Sequence, residues 1–135
     1  MPASSQLVFT RLRDLLQAHA DEFRVVQDAN RHYGLEAPVG PATLRSWGGK
    51  VRAPTIPVAW VETGKTYVSY HLMGLSGNVK LEAQLSDELR ARMQGKSCFN
   101  FKTVDEALFR ELEQVTTEPL RGMKKSGYIS DVPVA

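Results

Sequence analysis

Cysteine is almost missing from this chain: its 135 residues hold one, Cys98. A single thiol excludes an intramolecular disulfide, a Cys-based zinc finger and an all-cysteine iron–sulfur site within one chain. Long apolar runs are lacking too, since nothing approaches the roughly 20 consecutive apolar residues of a membrane-spanning helix. The opening MPASSQLVF has no basic leader followed by an apolar stretch. A free thiol without a leader sets the expectation of a cytoplasmic protein with no membrane partner. Charge of one sign is scarce: the formal net charge of +2 is too small to imply nucleic acid by itself. GxSxG, HExxH and GxxxxGK followed by Ser or Thr do not occur, so no enzyme class is indicated. Gly48-Gly49-Lys50 lacks the rest of a phosphate loop and reads as a turn. There is no internal repeat and no low-complexity linker.

What remains is a chain long enough for one domain with a real core and too short for two. Its 42% hydrophobic and 24% charged residues fit an ordinary globular protein, so residues 1–135 read as a single domain with loose ends at about 1–4 and 130–135. Ser4 or Ser5 can cap a first helix. Over residues 6–27, Val8, Leu12, Leu15, Leu16, Phe23 and Val26 recur at spacings of three and four, which predicts an amphipathic helix. His19 lies beside that face and reads as a boundary residue. Gly34 breaks the pattern, and residues 35–41 cannot continue a helix. Gly48-Gly49 predicts a turn between short extended pieces at 43–47 and 50–53.

The clearest hairpin joins 58–62 to 66–73 through Thr63-Gly64-Lys65. In its second arm Val68, Tyr70 and Leu72 share the face expected to be core. Tyr67, Ser69, His71 and Met73 share the other. Residues 79–85 alternate as a half-buried strand would, and Ser86 caps a short helix that Gly95 stops. Residues 95–115 then read as strand, cap and helix in one piece. Phe99 and Phe101 share a strand face, and Thr103 and Glu106 have capping-box spacing. Leu108, Leu112 and Val115 give helical periodicity until Glu118-Pro119 ends it, with residues 120–129 left as a turn or lid. This order predicts an α+β two-layer sandwich, an antiparallel sheet with N- and C-terminal helices packed on one face.

The long first helix, the strand YVSYHLMGL, the segment LSDELRARMQGKSCFNFK and the final helix VDEALFRELEQV resemble, in that order, the YdhG-like family of bacterial domains of unknown function. The resemblance covers about residues 7–129; residues 40–57 depart from the family pattern. Some members of that family are compared with frataxin, an iron-binding α/β sandwich, so the resemblance implies a metallochaperone role with iron as the cargo. Its carboxylate ridge would fall on Asp14, Asp21, Glu22 and Asp28, interrupted here by Arg11, Arg13, Arg24 and Arg31. A solvated, ion-paired helix face is the alternative.

Four other readings come from the residues themselves. The face with Tyr67 and His71 has the aromatic walls and polar tips of a small-molecule pocket, against the plainer reading of a covered sheet face. Cys98 with a histidine such as His71 has nucleophile chemistry, helped by Lys96 and Lys102. A small buried hydrophobe is the commoner fate of a free strand cysteine. Trp47 among Arg45, Lys50 and Arg52 combines stacking with cations, as single-stranded nucleic-acid sites do, but the patch is small. A protein partner at an exposed sheet or at the Trp47 loop is the fourth reading, and an open sheet edge would suit a homodimer.

Overall fold

The apolar stripe at the start of the chain folds as a helix shorter than its spacing predicts. In the computed structural model, which describes residues 3–29, 31–75, 78–95 and 97–131, helix α1 spans Ala3–Gln17. It therefore begins within the stretch expected to be a loose end, and Ser4 and Ser5 lie inside it rather than capping it. Val8, Phe9, Leu12, Leu15 and Leu16 are its buried stripe. A 3-10 turn, Ala20–Glu22, follows, and Arg24–Ala29 is strand β1. The longer helix fails because Phe23 and Val26 continue the helical spacing by coincidence. Phe23 is buried at the end of the turn, and Val26 is half-buried on the strand.

Strand β2, His32–Pro38, replaces the expected break. Gly34 and Pro38 hide it in the sequence, since both residues are poor strand formers. Pairing with β1 and with strand β3 (Thr55–Thr63) overrides that preference and buries Tyr33, Leu35 and Ala37. Between them Pro41–Ser46 forms helix α2 where an extended piece was expected. Proline at its first position is favourable, because the missing N–H has no partner there in any helix.

Strands β3 and β4 (Val68–Leu72) form the predicted hairpin, in register from Ala59↔Leu72 to Thr63↔Val68. The alternating stretch after it begins as a short helix, α3 (Val79–Glu82), because the Asn78 side chain accepts from the Leu81 N–H at 3.1 Å. Ser86 caps α4 (Asp87–Arg90) as expected, with its hydroxyl accepting from the Leu89 N–H at 3.1 Å. Strands β5 (Met93–Gln94) and β6 (Cys98–Phe101) follow.

The last helix, α5, runs Glu106–Lys125. Its cap is Asp105, which accepts from the Leu108 N–H at 3.2 Å. The Thr103–Glu106 capping box does not form, because the Glu106 carboxylate is held by the Arg11 guanidinium of α1 at 2.8 and 2.7 Å. Pro119 does not end the helix but is buried inside it. The 3-10 turn Met73–Leu75 packs on α5 there, and Gly74 lies so close to the Pro119 carbonyl that a Cβ would collide with it. Tertiary packing thus offsets the lost helical hydrogen bond. Residues 120–125, expected as a turn or lid, are the last turns of α5, and Ile129 then bridges Val39.

The six strands form one antiparallel sheet in the order β1-β2-β3-β4-β6-β5. Helix α1 lies over β2, β3 and β4, and α5 lies against α1 and β4. This is the expected α+β architecture with both terminal helices on one face. The Tyr70 hydroxyl meets Thr116 Oγ1 of α5 at 2.5 Å, with both residues fully buried. Because strand side chains alternate, Ser69 and His71 on either side of Tyr70 point away from the helices. The functional question lies on that open face.

Candidate functional site

One row of cross-strand neighbours crosses the open face: Val26, Gly34, Trp60, His71, Cys98 and Gln94. A second row beside it holds His32, Glu62, Ser69 and Asn100. In the first row the Trp60 and His71 rings stack, with centroids 4.3 Å apart and planes at 12°. His71 Nε2 is 3.8 Å from Cys98 Sγ. The thiol donates to Asn100 Oδ1 at 3.5 Å, and Ser69 Oγ donates to the same oxygen at 2.8 Å. Asn100 Nδ2 and the Tyr67 hydroxyl both donate to Gln94 Oε1, at 2.7 and 3.3 Å. Pairing of β4 with β6 therefore brings His71 beside Cys98, although no spacing in the sequence places them together, while Tyr67 reaches only Gln94.

The electrostatics argue against an activated nucleophile. Burial pushes the His71 imidazole below its ordinary value; Glu62 opposes the shift and His32 adds to it. Burial pushes the Cys98 thiol up, with Ser69 opposing and Glu62 adding. Both shifts favour the neutral forms and so oppose a thiolate–imidazolium pair across the 3.8 Å contact. Lys102 is exposed, and Lys96 lies outside the described residues.

Gly34 creates the one gap in the aromatic row. His71 covers one face of the Trp60 ring, and on the other side the neighbouring strand offers no side chain. Val26 closes the far wall: a Cβ built on Gly34 would lie 3.2 Å from Val26 Cγ2 and 3.4 Å from Trp60 Cβ. The resulting slot has a volume of about 260 Å³, with Gln27, His32 and Glu36 on its rim. The β1 edge bends around it through a bulge after Val26, where Gln27 takes a left-handed φ of 56°. Glu36 Oε1 accepts from Thr55 Oγ1 at 2.5 Å, and His32 Nδ1 is 3.6 Å from Glu62 Oε2. Trp60 was not a sequence candidate. Its signal was available, since alternation with Ala59 and Val61 puts it on the face of Glu62, away from the core.

A larger concavity, about 790 Å³, opens beside the end of α5 between Ile56, Met73, Val79, Met123 and Tyr128. Three of its polar side chains are engaged with nearby backbone: Thr43 Oγ1 donates to the Tyr128 carbonyl at 2.8 Å, Ser126 Oγ to the Met123 carbonyl at 3.3 Å, and Asn78 Oδ1 accepts from the Leu81 N–H at 3.1 Å. Among the described residues, Lys80 is its one charged lining residue, and it contains no stacked aromatic pair.

The remaining candidates do not assemble. Trp47 caps the C-terminus of α2, its N–H reaching the Thr43 and Leu44 carbonyls at 3.1 and 3.2 Å, and it lines neither concavity. Asp14 sits on α1, 3.6 Å from Arg11. Asp21 and Glu22 are on the 3-10 turn, and Asp28 is on β1. Asp14 and Asp21 share no helical face, because α1 ends at Gln17. Glu22 is spread between His19 at 3.9 Å and Lys124 at 4.0 Å. Among the described residues, no group of three or more His, Cys, Asp or Glu side chains is placed to hold a metal ion. The two sheet edges are also poor templates for a second copy: β1 is bulged, and β5 is two residues long.

Among the described residues, no helix is long and apolar enough to cross a membrane. No protein-family model, no curated protein and no solved structure matches the chain.

Proposed function

We propose that this protein is a small-molecule binding module that takes a flat ring into the Gly34 slot on the open face of its sheet. The side of Trp60 turned to Gly34, where β2 offers no side chain and a slot remains, carries the reading. His71 stacks on Trp60 at 4.3 Å from the neighbouring strand. The space above Gly34 lies one strand away on the opposite side, and adjacent strands are about 4.8 Å apart. A planar ligand there would extend the His71–Trp60 stack by one ring at nearly the spacing the protein already uses. At about 260 Å³ the slot is below the usual range for drug-sized ligands of about 300–1,000 Å³, which favours a single ring system. Aromatic stacking of this kind is worth about 1–3 kcal/mol per ring.

Membership of the YdhG-like family belongs to the same proposal, supported by the order of helix, antiparallel sheet and final helix. So does a cytoplasmic location, supported by the one free thiol. The test is fluorescence titration of Trp60 in a Trp47→Phe background with purine, beside the saturated ring piperidine. Saturable quenching by purine alone is expected. Gly34→Ala, which fills the slot floor, and Trp60→Leu, followed by calorimetry, are expected to weaken purine binding tenfold or more. Absence of saturable binding by purine, or binding untouched by both substitutions, overturns the reading.

A further inference from the structure

The rim of the slot is chemically lopsided, and this narrows what the ring must carry. Glu36 lies two residues from Gly34 on β2, on the same face, and so beside the position a stacked ring would take. One of its oxygens, Oε1, accepts from Thr55 Oγ1 at 2.5 Å, which fixes the carboxylate in place. Oε2 remains as an acceptor, and a carboxylate has no proton to give in return. Gln27, His32 and Pro57 also line the slot; His32 Nδ1 is turned to Glu62, which leaves Nε2 for a ligand. Arg24 stands opposite Glu36 in the register but is exposed and is not part of the lining.

We infer that the slot selects flat heteroaromatic rings bearing an exocyclic amino group, as in a nucleobase or a related amino-heterocycle, with Glu36 as the residue that reads the N–H donor. The inference rests on the slot reading above. A ring with only acceptors on that edge would leave its lone pairs facing a carboxylate and would bind worse than one with a donor there. A hydrogen bond to a charged acceptor is the stronger kind, so the donor decides between rings that stack equally well.

Adenine and 6-methylpurine make the comparison clean, because a methyl replaces the amino group at nearly the same size on the same ring. Calorimetric titration of the full chain with each is expected to give at least about a tenfold preference for adenine. Glu36→Gln keeps the side-chain shape and its bond to Thr55 while removing the charge. It is expected to reduce that preference several-fold, by weakening adenine and relieving the lone-pair repulsion felt by 6-methylpurine, with circular dichroism confirming the fold. Equal binding of the two purines, or a preference that survives Glu36→Gln intact, overturns the role of Glu36 but leaves the slot standing. Failure of both purines to bind overturns the slot itself.

Discussion

A buried hydrogen bond between Tyr70 and Thr116 ties the core face of β4 to α5, and its direction follows from the structure. The Thr116 hydroxyl has one proton, and it is committed to the Leu112 carbonyl at 2.7 Å. Tyr70 is therefore the donor in the 2.5 Å contact. Burial pushes the Tyr70 phenol well above its ordinary value, so the donor stays protonated throughout the working pH range. Tyr70→Phe removes that donor and leaves Thr116 with its bond to Leu112, at a cost of about 1 kcal/mol. Thr116→Val keeps the shape but strands the Tyr70 hydroxyl in the core, at about 1–3 kcal/mol. With both changes the buried polar pair is gone and no orphan remains, so the double variant should cost less than Thr116→Val alone. Urea unfolding at constant m value measures all three differences, and each kcal/mol corresponds to a shift of about 3–5 °C in Tm. Additive costs in the double variant, or a Thr116→Val cost below that of Tyr70→Phe, would refute the donor assignment. A pH-dependent effect between pH 6 and 9 would refute it equally.

Cys98 should react with iodoacetamide more slowly than a free thiol at pH 7.5 and accelerate steeply as pH rises, because burial holds its pKa up; fast, pH-independent alkylation would reveal a thiolate paired with His71. Gly74→Ala should destabilise the fold by about 1–3 kcal/mol in urea, because the new Cβ meets the Pro119 carbonyl. Ser at the same position should do no better, and a neutral result would mean that the turn at Met73–Leu75 can move off α5. The Arg11–Glu106 pair holds Glu106 below the ordinary carboxylate range. Its stabilisation is therefore present above that range and lost as pH falls through the depressed value. Arg11→Gln should remove this acid dependence and the salt sensitivity of the Tm, with a small effect at neutral pH because both side chains are exposed.

The parts of the fold that were legible in the sequence are those where a period of two or a cap decides locally. The β3–β4 hairpin around Gly64, the division of β4 into a Tyr70 face and a His71 face, the Phe99–Phe101 strand and the Ser86 cap all follow from neighbours within a few residues. What was not legible depends on distant partners. β2 carries Gly34 and Pro38 and is a strand because β1 and β3 flank it. Pro119 stays helical because the Met73–Leu75 turn covers it. Asp105 caps α5 instead of Thr103 because Arg11, 95 positions away, engages Glu106.

The same division explains the site. Placing Tyr67 and His71 on one face needs only alternation, and that reading holds. Placing Cys98 beside His71 needs the β4–β6 register, and no residue in either strand encodes it alone. The slot is harder still, because its central element is a missing side chain. In the sequence Gly34 reads as a helix breaker. In the sheet it sits between Val26 and Trp60, and its lack of a side chain leaves the slot beside the tryptophan. A glycine inside a paired strand weakens that strand and often marks close approach by another group. Here the group on one side is Val26, at a distance that leaves little room for any side chain at position 34. Sterics at the floor and vacancy above it therefore have one cause, and a single added methyl at position 34 tests both: it should crowd Val26 and close the slot together.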